Sequence, residues 1–72
     1  MDEFQKRLRK LRGNTSQYVL AQLCGIRDDD AIRKYENGVS IPRMDNLIRI
    51  ANHFEVSIDY LVGRTDNPFI MR

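Results

Sequence analysis

The sequence predicts a single all-α domain of five short helices. Apolar residues recur at the three- and four-residue spacing of helices, and no stretch alternates as strands do. Glycine and proline residues interrupt this pattern at short intervals, as expected for turns between helices. A chain of 72 residues is also too short to build a second hydrophobic core.

The first two helices follow from apolar spacing and from the residues that flank them. The inner face of the first helix is predicted to consist of Phe4, Leu8 and Leu11. Gly13-Asn14 ends this helix, and Ser16 is a suitable N-cap for the second. The inner face of the second helix is predicted to consist of Leu20, Leu23 and Cys24. Gly25 ends it, because glycine tolerates the left-handed conformation of a tight turn.

The third and fourth helices are also bounded by turn-forming residues. The third begins within Asp28–Asp30, whose carboxylates favour the positive end of a helix dipole, and stops at Asn37-Gly38. Its inner residues are predicted to be Ile32 and Tyr35. Pro42 suits the first turn of the fourth helix. The inner face of that helix is predicted to consist of Met44, Leu47, Ile48, Ala51 and Phe54.

The fifth helix is predicted to start after Ser57, which can act as its N-cap, and to end at Gly63. The domain is therefore expected to span residues 1–63. Residues 64–72, which contain Asp66-Asn67-Pro68, are expected to form an irregular C-terminal tail.

Composition excludes several classes of protein. With one cysteine, Cys24, and one histidine, the chain can form neither an internal disulfide nor a four-ligand Cys/His zinc site. Cys24 is expected to be a core residue. No catalytic motif occurs, so we expect no enzyme, no metal and no cofactor. No apolar run approaches the roughly 20 residues of a membrane helix, and no signal peptide is evident, so a cytoplasmic location is expected.

Charge and helix order point to nucleic acid without requiring it. The net charge is +2, yet residues 1–12 contain five basic and two acidic side chains. Clustered basic residues permit nucleic-acid binding. Residues 17–34 have the order helix, glycine turn, helix, which in DNA-binding proteins presents the second helix to a major groove. The same geometry occurs in proteins that do not bind DNA.

An ordered set of short motifs narrows these possibilities: Ser16-Gln17, Leu20-Ala21, Cys24-Gly25-Ile26, Ile32, Tyr35-Glu36-Asn37-Gly38, Pro42 and Val56-Ser57-Ile58-Asp59-Tyr60-Leu61. Together they resemble the lambda-repressor-like helix-turn-helix family, the Xre/Cro type of bacterial and phage regulators. The resemblance implies a compact five-helix domain in which helices 2 and 3 form the helix-turn-helix. It also implies a sequence-specific double-stranded DNA-binding transcriptional regulator, expected to be a repressor that occupies its operator.

The resemblance implies roles for individual residues. Three of them match positions that contact DNA phosphates: Gln17, Asn37 and Arg43. Arg33 and Lys34 are the candidates for reading base edges, because their donors fit guanine O6 and N7, and Lys34 is slightly favoured. The full set of expected DNA-binding residues is Gln17, Arg27, Asp29, Asp30, Arg33, Lys34, Asn37 and Arg43. The alternative is a solvated surface residue for Gln17 and Arg43, a plain helix cap for Asn37, and a contact to phosphate alone for Arg33 and Lys34.

Arg12 and Glu36 match a family pair that ties the first helix to the end of the third. The resemblance therefore implies that both residues support the structure and do not contact DNA. In such a pair, removal of one partner leaves the other charge without compensation.

The acidic run Asp28–Asp30 departs from the family pattern, which has Ser, Thr, Gln or Arg at the start of this helix. Carboxylates oppose the approach of phosphate, although an aspartate can accept a hydrogen bond from cytosine N4. The alternative is that one aspartate caps the helix and the others are solvated or paired with Arg27. The run also keeps a second function open: a protein-interaction module, like an antitoxin or anti-repressor, that binds a basic partner through helix 3.

A single module of this kind provides little specificity, so we expect a homodimer on a two-fold symmetric operator. Phe69-Ile70-Met71 is expected either to supply dimer contacts or to be a frayed terminus. The expected partners are a double-stranded DNA operator and a second copy of the chain, with neither a membrane nor a small-molecule cofactor.

Overall fold

A computed structural model describes residues 2–69 and contains five α-helices in this part of the chain. The helices are α1 (Asp2–Arg12), α2 (Gln17–Cys24), α3 (Ala31–Glu36), α4 (Met44–Phe54) and α5 (Ile58–Leu61). No strand occurs between residues 2 and 69, so the predicted all-α fold is confirmed. Within the same range, every helix is too short or too polar to cross a bilayer.

Local capping chemistry sets several helix ends where the sequence predicts them. The Ser16 hydroxyl accepts a hydrogen bond from the Val19 N–H at 3.0 Å, and the Ser57 hydroxyl accepts one from the Tyr60 N–H at 3.0 Å. Gly25 ends α2 in the left-handed conformation, with φ of 74°. These residues satisfy backbone groups that a helix end would otherwise leave without partners.

One predicted helix start is wrong, and one predicted cap lacks its side-chain bond. Pro42 is buried but precedes α4, which begins at Met44 because Arg43 is still extended, with ψ of 164°. Asp30 is the N-cap of α3, yet its side chain makes no capping hydrogen bond. The Asp28 carboxylate instead accepts the Asp30 N–H at 2.9 Å, so it closes the turn that precedes the helix.

One hydrophobic core holds the helices together. Its fully buried large apolar residues are Phe4, Leu8, Leu20, Ile32, Ile50 and Leu61. Cys24 also lies in this core, as predicted, and burial raises the pKa of its thiol. The core supports α3 from its inner side, where Tyr35 packs against Phe4 with ring centroids 6.2 Å apart.

The inner faces of α2 and α4 differ from the prediction. Leu23 is 58% exposed, because α2 turns Leu20, Ala21 and Cys24 towards the core. On α4, Met44 is 61% and Ile48 42% exposed. The buried residues of α4 are Leu47, Ile50 and Ala51. On each helix the apolar residues cover two adjacent faces, and either face could be the buried one. Packing against the other helices determines which of the two faces the core.

Residues 64–69 have no regular secondary structure, but they fold back onto the helices. The Ser57 N–H donates to the Pro68 carbonyl at 3.0 Å, which joins this segment to the start of α5. Phe69 is 76% exposed. Ile70 and Met71, which complete the predicted dimer contact, lie outside the described residues.

Glu55 has a left-handed backbone conformation at the end of α4, and the cost of this conformation to stability can be measured. It is the non-glycine residue between 2 and 69 with a positive φ, 56°, and it ends α4 in the left-handed conformation. Glu55→Gly should raise the free energy of unfolding by about 0.5–1 kcal/mol, because glycine lacks the Cβ clash of this conformation but loses more chain entropy. Urea denaturation measures the change. Glu55→Ala is the control, and equal stability of the two variants would contradict the prediction.

Candidate nucleic-acid interface

The turn between α2 and α3 fixes the position of α3. Gly25 reverses the chain, and the Ile26 N–H donates to the Ala21 carbonyl at 2.9 Å while the Ile26 side chain is buried. Ile32 and Tyr35 anchor α3 to the core. Arg33 and Lys34 consequently lie on the outer side of α3, where a groove of DNA could reach them.

Glu36 is the buried acidic residue of the described chain, and it connects three helices. Its carboxylate accepts hydrogen bonds from Arg12 Nε at 2.7 Å and Arg12 Nη2 at 2.9 Å, so the two side chains form a bidentate pair. Gln17 Nε2 donates to the same carboxylate at 2.9 Å. The structure therefore brings together Arg12 and Glu36, the two residues expected to support the fold, and the bond to Glu36 raises the pKa of Arg12.

Gln17, expected at a phosphate, is half-buried and held by Glu36. Its amide carries two N–H donors, and the bond to Glu36 uses one of them. The second N–H makes no further hydrogen bond to residues 2–69. Glu36 thus positions an expected DNA-contacting residue as well as α3 itself.

The two expected base-reading residues are paired with the acidic run. Arg33 Nε donates to Asp30 Oδ1 at 2.7 Å and Arg33 Nη2 to Asp30 Oδ2 at 2.5 Å. Lys34 Nζ donates to Asp28 Oδ2 at 3.0 Å. The bond from Arg33 lowers the pKa of Asp30, and the bonds from the Asp30 N–H and then from Lys34 lower the pKa of Asp28.

The remaining aspartate and Arg27 are not paired with each other. Asp29 Oδ1 accepts a hydrogen bond from Gln22 Nε2 at 2.5 Å, which links α2 to the turn. The described contacts therefore contradict the alternative in which Arg27 pairs with the acidic run. The acidic side chains instead pair with Gln22 of α2 and with Arg33 and Lys34 of α3.

Two further expected phosphate contacts lie at helix ends. Asn37 is exposed and follows α3, and its N–H donates to the Arg33 carbonyl at 3.0 Å. Arg43 is exposed at the N-cap position of α4. Asn37 marks the end of the presented helix, and Arg43 lies at the far end of the loop that follows it.

Sequence reasoning missed one residue that supports α3. Arg9 Nη2 donates to the Glu36 carbonyl at 2.6 Å, and Arg9 Nε lies 3.8 Å from the Glu36 carboxylate. Arg9 and Arg12 are three residues apart and therefore share a face of α1. This spacing is a signal that could have identified Arg9 once Arg12 was assigned to Glu36.

Comparisons with known proteins agree with this geometry. A helix-turn-helix family model matches residues 5–61. The chain is similar to the cryptic phage CTXphi transcriptional repressor RstR of Vibrio cholerae serotype O1, with 43% identity over 51 residues. This alignment covers 71% of the chain and 45% of the repressor, so the chain spans less than half of that relative's length.

No solved structure is significantly similar to the chain. The family assignment therefore depends on the matched sequence and on the five-helix architecture. The family model covers well over half of the chain, and the helix-turn-helix formed by α2 and α3 lies within the matched region. The chain belongs to the lambda-repressor-like helix-turn-helix family, the Xre/Cro type.

Proposed function

We propose that this chain is a sequence-specific double-stranded DNA-binding transcriptional regulator. The observation that carries the proposal is α3, which is anchored on its inner side by Ile32, Tyr35 and Glu36 and presents Arg33 and Lys34 on its outer side. A helix presented in this way can enter a major groove, where Arg and Lys donors read guanine O6 and N7.

Residues around α3 would hold the DNA backbone. Gln17 has a free N–H donor at the start of α2, and Asn37 and Arg43 are exposed at the two ends of the α3–α4 loop. Such contacts to phosphate set the register of a protein on DNA without reading its sequence. Bases would then be read by α3 alone.

Repression would follow from occupancy of the operator, which excludes polymerase. The similarity to the CTXphi repressor supports this direction of regulation. A homodimer on a two-fold symmetric operator would double the number of base pairs that are read. The protein would act in the cytoplasm, where it meets bacterial or phage DNA.

The contacts of the acidic run disfavour a module that recruits a basic protein through helix 3. All three carboxylates already accept hydrogen bonds within the chain: Asp28, Asp29 and Asp30. A basic partner would have to displace Lys34, Gln22 or Arg33 from them. The charges of Asp28 and Asp30 are compensated by Lys34 and Arg33, which leaves only the charge of Asp29 to attract such a partner.

Selection of duplexes from a randomised pool tests the proposed function. The wild-type protein should enrich one sequence motif, and its affinity for this motif should fall steeply with salt. Lys34→Ala should weaken binding to the selected duplex more than to a random duplex. Arg43→Ala should weaken binding to both duplexes alike, because a phosphate contact carries no sequence information. Binding by the wild type that shows neither enrichment nor salt dependence would refute the function.

Arg43 serves as the phosphate-contact variant in place of Gln17 for a structural reason. Gln17→Ala would remove a donor from buried Glu36 and thereby change the fold as well as the interface. Arg43 is exposed, and its side chain makes no capping bond to α4.

A further inference from the structure

Asp30 has a contact pattern that helix capping does not explain. It occupies the N-cap position of α3, but its side chain makes no hydrogen bond to the helix. Both carboxylate oxygens accept hydrogen bonds from Arg33. The side chains are about half exposed, at 49% for Asp30 and 46% for Arg33, so the pair is accessible at the protein surface.

The geometry of this pair leaves one edge of the Arg33 guanidinium available. Asp30 takes the edge formed by Nε and Nη2. A guanidinium has five N–H donors in a planar fork, so both Nη1 donors and the second Nη2 donor remain. The edge formed by Nη1 and Nη2 can still donate two parallel hydrogen bonds to guanine O6 and N7.

The same pair reduces the attraction of α3 for phosphate. Phosphate binding is governed by unpaired cationic charge, and it supplies essentially all of the affinity for random DNA. Asp30 compensates the charge of Arg33, and Asp28 compensates that of Lys34. The outer face of α3 therefore presents oriented donors without the excess positive charge that would bind any sequence.

We propose, on the basis of the function proposed above, that Asp30 is a specificity-determining positioning residue. It orients Arg33 for a guanine through the bidentate pair and suppresses binding of the same side chain to phosphates. Asp30 acts through Arg33 and need not touch DNA itself. This role accounts for an acidic residue at the front of a helix that enters a negatively charged groove.

Affinity measurements with two duplexes test the proposal. One duplex carries the sequence selected by the wild-type protein, and the other has a random sequence. Asp30→Asn should raise the affinity for the random duplex by about two- to fivefold, since Arg33 no longer has to leave an ion pair. Its salt dependence should steepen by about 0.9 in log–log slope, the effect of one further phosphate contact. The ratio of the two affinities should fall by about 3- to 10-fold, because Arg33 is no longer preorganised for guanine.

Asp59→Asn is the matched control. It removes one exposed carboxylate from α5, a helix that packs on α1 and α4. It should leave the ratio of affinities unchanged. Arg33→Ala should lower the ratio by about 5- to 100-fold. In the Arg33→Ala background, Asp30→Asn should change both affinities alike and leave the ratio as it is.

The outcomes separate this proposal from the proposed function. If the wild type selects a sequence but Asp30→Asn and Asp59→Asn change the affinity ratio equally, the role of Asp30 is refuted and DNA binding stands. A further fall of the ratio when Asp30→Asn is added to Arg33→Ala would also refute it, because Asp30 would then act independently of Arg33. If the wild type selects no sequence, both proposals fail. Melting curves of every variant establish that the compared proteins are folded.

Discussion

Replacement of Glu36 by alanine is expected to lower the free energy of unfolding by about 3–5 kcal/mol, because it breaks a buried charge pair by removing one partner. The carboxylate is 1% exposed, and its loss leaves Arg12 and Gln17 without their acceptor. A domain of 72 residues has a total stability of about 4–11 kcal/mol. The variant should therefore lose between about a quarter and all of its stability, as measured by urea denaturation and thermal melting.

Two further variants show that the effect comes from the buried network. Glu55→Ala makes the same change at an exposed residue and should alter stability by no more than about 0.5 kcal/mol. The double variant Arg12→Met, Glu36→Leu replaces both charges by apolar groups and should lose less stability than the two single changes combined. A Glu36→Ala variant within about 1 kcal/mol of the wild type would contradict the prediction, since that is the value of an exposed pair.

The helix ends could be predicted from sequence wherever a residue at the end itself forms the cap. Ser16 and Ser57 accept a backbone N–H three residues further on, Gly25 takes the left-handed conformation, and the structure places each as expected. Glu55 ends α4 in a conformation usually taken by glycine, so no local signal marked this end.

The inner faces of the helices could be predicted only in part, because they depend on tertiary contacts. Ile32 and Tyr35 are buried as predicted, since the two sides of α3 differ clearly in polarity. Leu23 and Ile48 are apolar but exposed. Each lies on the apolar face of its helix that is adjacent to the buried one. Sequence spacing cannot decide between adjacent faces when both are apolar.

The candidate site shows the same division between local and long-range features. Helical spacing places Arg33 and Lys34 outside, and the structure agrees. Their pairing with Asp30 and Asp28 depends on the path of the turn, which the sequence does not specify. The contact between Arg12 and Glu36 came from the family resemblance, because residues 24 positions apart have no local signal of proximity.

Arg7 shows that residues 64–68 are attached to the helical domain, despite their irregular backbone. Its Nη1 donates to the carbonyls of Tyr60 and Thr65, each at 2.5 Å, and its Nη2 donates to Asp66 at 2.7 Å. The guanidinium carbon lies 4.3 Å from the centroid of the Tyr60 ring, within the range of a cation–π contact. One side chain of α1 therefore joins α5 to the segment that follows it.

Arg7→Ala is expected to lower the free energy of unfolding by about 2–3 kcal/mol, because its charge-assisted hydrogen bonds to a half-buried backbone have no replacement. The Ser57 N–H, which donates to the Pro68 carbonyl, should exchange with solvent faster once the segment is released. Arg7→Lys should lose an intermediate amount, since a lysine keeps the charge but not the planar fork. Lys6→Ala, at the exposed neighbouring position, is the control. An Arg7→Ala variant with the stability of Lys6→Ala and unchanged exchange at Ser57 would show that the segment is held by other contacts.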